Sequence, residues 1–302
     1  MTSITLEQVF IVVYVLVDDW YRTEGAALLR TKVGAKPRFS DSELMTLMLV
    51  HDYVPYPGER QYVGFIRANY KYLFPAVVDV SQYNRRSRAL RGIVERMRQT
   101  WLRQLGGGAG QALLLDTKPV PVLGYKRDKK HSDYAGRANY GYCAARKLNY
   151  FGFKLVMLSS LYGVPLVYDL VPANADERLA AECVLDCVTD CAILADKGFI
   201  GEDWQRQVAS ETGNLIYTFA RSNQKNQNEP ALNRFLVRHR ERIEGLFDQL
   251  QNTGRNLERL LAKTMSGLCS RVTLKVASLT LRRVLLSFFH IDIQSFSMSI
   301  PH

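Results

Sequence analysis

The run Gly106-Gly107-Gly108-Ala109-Gly110 divides this 302-residue chain into two stretches with different hydrophobic periods. Glycine costs the most backbone entropy to order, so such a run holds neither helix nor strand and reads as a linker. Before it the apolar residues recur at helical spacing. After it they form short runs of strand length, several closed by a charged or turn residue.

The first stretch reads as helices. Leu6 to Tyr21 is strongly apolar. Ser40 and Glu43 form a capping-box pair, with Phe39 and Leu44 at the positions of a hydrophobic staple, which predicts a helix through Leu47, Met48 and His51 up to Pro55 and Pro57. A further helix is expected over Arg60 to Leu73. A longer one opens at Ser81-Gln82-Tyr83-Asn84-Arg85-Arg86-Ser87-Arg88, with Leu90, Ile93, Val94, Met97, Trp101 and Leu102 as its buried stripe. Arg85, Arg86, Arg88, Arg91, Arg96, Arg98 and Arg103 fill its other faces and suit a nucleic-acid groove; the plainer reading is a solvated charged face.

The second stretch reads as strands and helices. Ala112–Leu115, Phe151–Leu161 and Val164–Val171 are strands, the last two joined by a hairpin at Tyr162-Gly163. Glu177–Val188 suits a helix, Ala192–Ala195 and Asn214–Phe219 are strands, and Arg234–Leu250 is a helix with Ile243, Leu246, Phe247 and Leu250 on its apolar face. The order is that of a mixed α/β domain behind an all-helical region.

Charge narrows the partner. Forty Lys and Arg face 29 Asp and Glu, a net +11. The excess sits in the flanks: residues 1–108 carry 15 basic and 10 acidic side chains and residues 229–302 carry 11 and 6, against 14 and 13 between them. Cationic flanks favour a polyanion. The best apolar run, Val9–Val17, stops at Asp18 and Asp19, short of the roughly 18 residues a membrane span needs, and no basic segment precedes it. The chain therefore reads as soluble and cytoplasmic, nucleoid-associated when bound to DNA. Cys143, Cys183, Cys187, Cys191 and Cys269 read as reduced thiols. The i, i+4, i+8 spacing of Cys183, Cys187 and Cys191 places small buried thiols along a helix face, with no nearby fourth ligand for zinc. His51, His131, His239, His290 and His302 share no motif.

Two aspartates end apolar strand runs: Leu113-Leu114-Leu115-Asp116 and Ile193-Leu194-Ala195-Asp196. Glu244 follows on the late helix. Strand-end carboxylates emerge from a rigid sheet, and three hard-oxygen groups can hold two Mg²⁺ ions that activate an attacking oxygen and stabilise a leaving one. A loop-capping role for the aspartates and a surface role for Glu244 compete with that reading. The glycine run lacks a following Lys-Ser/Thr, so no nucleotide cofactor is implied.

At this point the chain resembles bacterial DDE transposases of the RNase H-like superfamily, and more narrowly the insertion sequence 982 family, from about Val15 to Leu250. The matching segments are Phe39-Ser-Asp-Ser-Glu43, Ser81-Gln-Tyr-Asn-Arg85, Leu115-Asp-Thr-Lys-Pro-Val-Pro-Val122, Tyr140-Gly-Tyr-Cys143 with Phe151-Gly-Phe-Lys-Leu155, Asp196-Lys-Gly-Phe199, and Arg242-Ile-Glu-Gly-Leu-Phe-Asp-Gln-Leu250. The resemblance implies an RNase H-like fold, Asp116, Asp196 and Glu244 as catalytic triad and metal ligands, Mg²⁺ or Mn²⁺ as cofactor (two ions), and double-stranded DNA as substrate. Related enzymes carry a Lys seven residues after the glutamate; here that position is Gln251. Lys118, Lys126, Arg127, Lys129 and Lys130, then Arg146, Lys147, Lys197 and Arg240, are candidate DNA contacts beside Arg85, Arg86 and Arg88.

The expected organisation is a helical, helix-turn-helix-like DNA-binding region at 1–105, a linker at 106–110, an RNase H-like catalytic domain at 111–263 and a basic tail at 264–302. The expected activity is cleavage at insertion-sequence ends and joining of the 3′-OH to target DNA, by terminal inverted repeats paired in a homodimer. A metal-dependent nuclease without strand transfer, or a non-catalytic DNA-binding descendant, are the rival readings.

Overall fold

A computed structural model describes residues 4–29, 37–106, 112–124, 129–143, 147–220, 228–254 and 256–293; at Arg240, Ile243 and Asn252 it describes the backbone alone. The chain forms two compact units, Met1–Leu105 with Leu250–His302, and Gly106–Gln249.

The first unit is helical: α1 (Leu6–Trp20), α2 (Asp41–Val50), α3 (Glu59–Asn69), α4 (Val80–Gln104) and α8 (Met265–Phe289). The capping box is present at α2. Ser40 Oγ accepts from the Glu43 amide at 3.0 Å, and Glu43 Oε2 accepts from the Ser40 amide at 2.6 Å. A second, unforeseen capping box starts α1, from Thr5 and Gln8. Every residue of α2 from Leu44 to Val50 is buried, so it forms the centre of this unit. The 264–302 stretch contributes α8, which packs on α4 and α2 and adds Leu274, Ala277, Leu281, Val284 and Leu285 to the same core.

The expected stripe of α4 is buried, and Tyr83, Ser87 and Arg98 are buried with it. Arg98 is 1% exposed. It stands next to Met97 at the border of the stripe, and Glu95, one turn earlier, accepts from its Nη2 at 2.6 Å and its Nε at 3.0 Å. An ion pair offsets the desolvation that a lone buried guanidinium would suffer.

Among the described residues the second unit is a six-stranded mixed sheet with helices, in line with the mixed α/β class expected from the sequence. Its elements are β1 (Ala112–Leu123), β2 (Asn139–Cys143), β3 (Leu148–Ser160), β4 (Pro165–Pro172), α5 (Glu177–Leu185), β5 (Ala192–Ala195), α6 (Glu202–Thr212), β6 (Leu215–Thr218) and α7 (Pro230–Asn252). β1 is flanked by β3, antiparallel, and β5, parallel; β6 continues the sheet beyond β5. On its other side β3 pairs first with β2 and then with β4. Gly163 adopts φ of 75° in the β3–β4 turn, the left-handed conformation for which that dipeptide was read as a hairpin.

Three expectations are corrected here. Asp116 is not at the end of its strand. β1 runs on to Leu123, paired with β3, because only its parallel partner stops: the β1–β5 ladder ends at Leu115 and Ala195. Pro119 and Pro121 stand two apart, so both missing N–H donors face one side, as an open strand side tolerates. The thiols do not line a helix face. α5 ends at Leu185, leaving Cys187 and Cys191 beyond it, and Cys183 and Cys187 are exposed. Partial desolvation against the helix, helped by the negative Asp169, still pushes the Cys183 thiol up to about 11, so it stays protonated. Finally, β2 and α6 have no counterpart in the expected order. β2 reads Asn-Tyr-Gly-Tyr-Cys and lies largely exposed at the sheet margin, and α6 buries only Val208, so neither carries an apolar run.

Candidate active site

The parting of β1 and β5 builds the site. Leu115 and Ala195 are the last partners of the parallel ladder, so Asp116 and Asp196 are the next residues on strands about 4.8 Å apart. α7 supplies the third wall. Among the described residues of this unit, Leu236, His239, Leu246 and Phe247 are its buried side chains, and Glu244 lies beside that stripe, exposed. Lys118 of β1 places its Nζ 6.0 Å from the Phe247 ring centre. Asp116, Asp196 and Glu244 all line one small cavity of about 50 Å³, whose apolar lining comes from Leu114, Leu115, Leu194, Ala195, Phe219 and Leu236.

The electrostatics of this corner are unfavourable by construction. The Asp116 carboxyl is pushed up to about 7, first by burial and then by the negative charges of Asp196 and Glu177, against the Thr117 amide and Lys118, which pull it down. That amide donates to Asp116 Oδ1 at 2.7 Å. A carboxylate crowded by like charge gains most from a cation.

Fit to a divalent cation can be judged on the donors. Among the described residues no three of His, Cys, Asp and Glu stand close enough to hold an ion as a set. The aspartate pair does suit Mg²⁺, which is commonly held through one or two carboxylates with water and substrate phosphate completing its shell. Glu244 shares the cavity without joining them in such a group.

The basic candidates divide. Lys197 follows Asp196 and is exposed. Lys147 is exposed in the left-handed turn between β2 and β3, with φ of 50°. Lys129 lies 5.2 Å from the Tyr140 ring centre and 5.5 Å from that of Phe151, a cation–π arrangement. In the helical unit Arg85 and Arg88 are exposed, whereas Arg86 donates to Asp41 Oδ1 at 2.7 Å and lies 5.9 Å from the Phe39 ring centre. Lys126, Arg127 and Arg146 lie outside the described residues, as does the side chain of Arg240. His51 is a core residue, stacked on Tyr62 at 4.0 Å.

One acidic neighbour has no sequence signal of the kind used above. Glu177 opens α5, where an acid is ordinary, and only the fold brings it beside Thr117 and the Asp196 turn.

The profile of a protein family described as Transposase DDE domain matches residues 107–259, more than half of the chain, and spans both aspartates and Glu244. No curated protein and no solved structure matches it. A mixed sheet flanked by helices, following a helical N-terminal region, is consistent with the RNase H-like fold of a DDE transposase, and the chain belongs to the transposase DDE domain family.

Proposed function

We propose that this protein is a DNA transposase of the insertion sequence 982 type, which cleaves at the ends of its element and joins the freed 3′-OH to target DNA. The observation that carries the reading is the convergence of Asp116, Asp196 and Glu244, from β1, β5 and α7, on one cavity. Both steps are in-line displacements at phosphorus: water frees a 3′-OH at the element end, and that 3′-OH then displaces one in the target. Such reactions need positioning and charge stabilisation more than a protein nucleophile. Asp116 and Asp196 would hold Mg²⁺ or Mn²⁺, and Glu244 would face the bound ion across the shared cavity. A divalent ion there supplies neutralisation of the charge that builds on the transferred phosphate.

The residues divide the remaining work. Lys197 and Lys118 flank the aspartates and meet the phosphate backbone. The helical unit, through the exposed Arg85 and Arg88 of α4, holds the terminal inverted repeats, in the manner of a helix-turn-helix protein. Two ends must be brought together, which calls for a homodimer on DNA. No helix among the described residues is long and apolar enough to cross a membrane; the reading places the protein in the cytoplasm, on the nucleoid.

The test uses full-length protein, labelled DNA carrying the ends that flank its own gene, a target plasmid, and Mg²⁺ or EDTA. Mg²⁺-dependent nicking at the ends with joined product is expected. Nicking without joining replaces the proposal by a nuclease. Binding without cleavage in Mg²⁺ or Mn²⁺ replaces it by a non-catalytic DNA-binding protein.

A further inference from the structure

We infer that Glu177 is a positioning residue of this site, fixing the two aspartates through Thr117 on one side and Gly198 on the other. The inference rests on reading Asp116 and Asp196 as cation ligands.

Thr117 is the link to Asp116. Its amide donates to Asp116 Oδ1 at 2.7 Å, while its hydroxyl donates to Glu177 Oε1 at 3.3 Å. The backbone that presents Asp116 is thereby tied to the first turn of α5. Gly198 is the link to Asp196. A Cβ at Gly198 would lie 1.7 Å from Glu177 Oε2, so the carboxylate occupies the space that any side chain there would need. Gly198 belongs to the short helical turn Lys197–Phe199 that leads the chain away from Asp196. One carboxylate therefore braces the residue after Asp116 and the turn after Asp196.

The ordinary role of an acid in a first helical turn is to meet the N-terminal end of the helix dipole. That role asks nothing of Thr117 and does not require a glycine at 198. Asp176 already caps α5, accepting from the Arg178 amide at 2.9 Å. Contacts that orient metal-binding side chains are worth about 10–100-fold in metal affinity.

The experiment measures Mn²⁺ binding to the full-length protein without DNA, by the paramagnetic resonance of free Mn²⁺, with a melting curve for each variant. Asp116→Asn is the control. Glu177→Ala and Thr117→Val are expected to weaken Mn²⁺ by about tenfold, and the double variant by no more than Glu177→Ala alone, since that variant already removes the Thr117 bond. Glu177→Gln keeps an acceptor oxygen of the same reach and retains affinity within about threefold of the parent. Gly198→Ala expels the carboxylate while leaving its charge in the chain, and it behaves as Glu177→Ala. Should Glu177→Ala fail to fold, Gly198→Ala and Thr117→Val decide the matter alone. Unchanged binding in these variants, with binding lost in Asp116→Asn, overturns the inference and leaves the aspartate site standing. A Glu177→Gln as impaired as Glu177→Ala also overturns it, because charge and not contact would be at work. Unchanged binding in Asp116→Asn overturns the aspartate reading, and this inference with it.

Discussion

The two units treat buried charge in opposite ways. In the helical unit Lys275 is 1% exposed and satisfied: its Nζ donates to the Thr253 carbonyl at 3.0 Å and hydroxyl at 3.1 Å, and lies 3.7 Å from Asp52. Arg98 is paired with Glu95 in the same unit. In the sheet unit the crowded acid, Asp116, has acids for neighbours and a carboxyl pushed up to about 7. Opposite charges brought together fix a fold. Like charges brought together leave a standing demand for a cation, which stabilises the folded state only when it binds.

The largest effect that would break this comparison is on activity. Asp116→Asn and Asp196→Asn are expected to lower end cleavage by more than about 10³-fold while DNA binding survives, as loss of charge stabilisation in phosphoryl transfer requires. Glu244→Gln is expected to do the same in a cleavage assay. A variant at parental rate would remove its residue from the site.

Next in size is the helical unit. Lys275→Ala removes the cation beside the buried Asp52, and the expected loss is about 3–5 kcal/mol by urea unfolding. A loss below about 1 kcal/mol would mean that water reaches the pair, and the contrast with Asp116 would dissolve.

The sheet unit should answer with the opposite sign. The folded Asp116 pKa, about 7, lies above the unfolded value of about 3.9. Stability is therefore fully present below about pH 4, falls as pH rises, and is lost once pH passes 7. In EDTA, Asp116→Asn should be more stable than the parent at pH 8, on the order of 2–4 kcal/mol, and little different at pH 4. Glu244→Gln, whose parent side chain is exposed, should show no such gain. Equal pH profiles for the parent and Asp116→Asn would show that the like charges are solvated after all.

What the sequence disclosed follows the same division. Periodicity located α4, the apolar run 6–21 located α1, and the Ser40–Glu43 pair placed the start of α2 to the residue. Ala192–Ala195 was legible because a buried parallel strand reads as a continuous apolar run. β2 and α6 were not, since edge and surface elements carry little apolar pattern. The aspartates could be picked out as residue types after apolar runs, but not the reason they stand side by side, which is where the β1–β5 ladder ends. Glu177 was invisible: its significance lies in Thr117 and Gly198, 60 residues back in one case and across a strand and a turn in the other.

The smallest effect sharpens the comparison within one helix. Arg85, Arg86 and Arg88 are indistinguishable in sequence, yet Arg86 is held by Asp41, whose other oxygen accepts from the Tyr21 hydroxyl at 2.8 Å, while Arg85 and Arg88 are exposed. Exposed arginines on a DNA face displace counterions, about one per phosphate met. Arg85→Ala with Arg88→Ala should therefore make the plot of log affinity against log salt shallower by about 1 for each residue. Arg86→Ala should leave that slope unchanged and instead cost about 1–2 kcal/mol of stability, by stripping a charged partner from Asp41. A slope that responds to Arg86 as it does to Arg85 and Arg88 would mean that the Asp41 pair opens on DNA. A slope that responds to none of the three would take α4 off the DNA face.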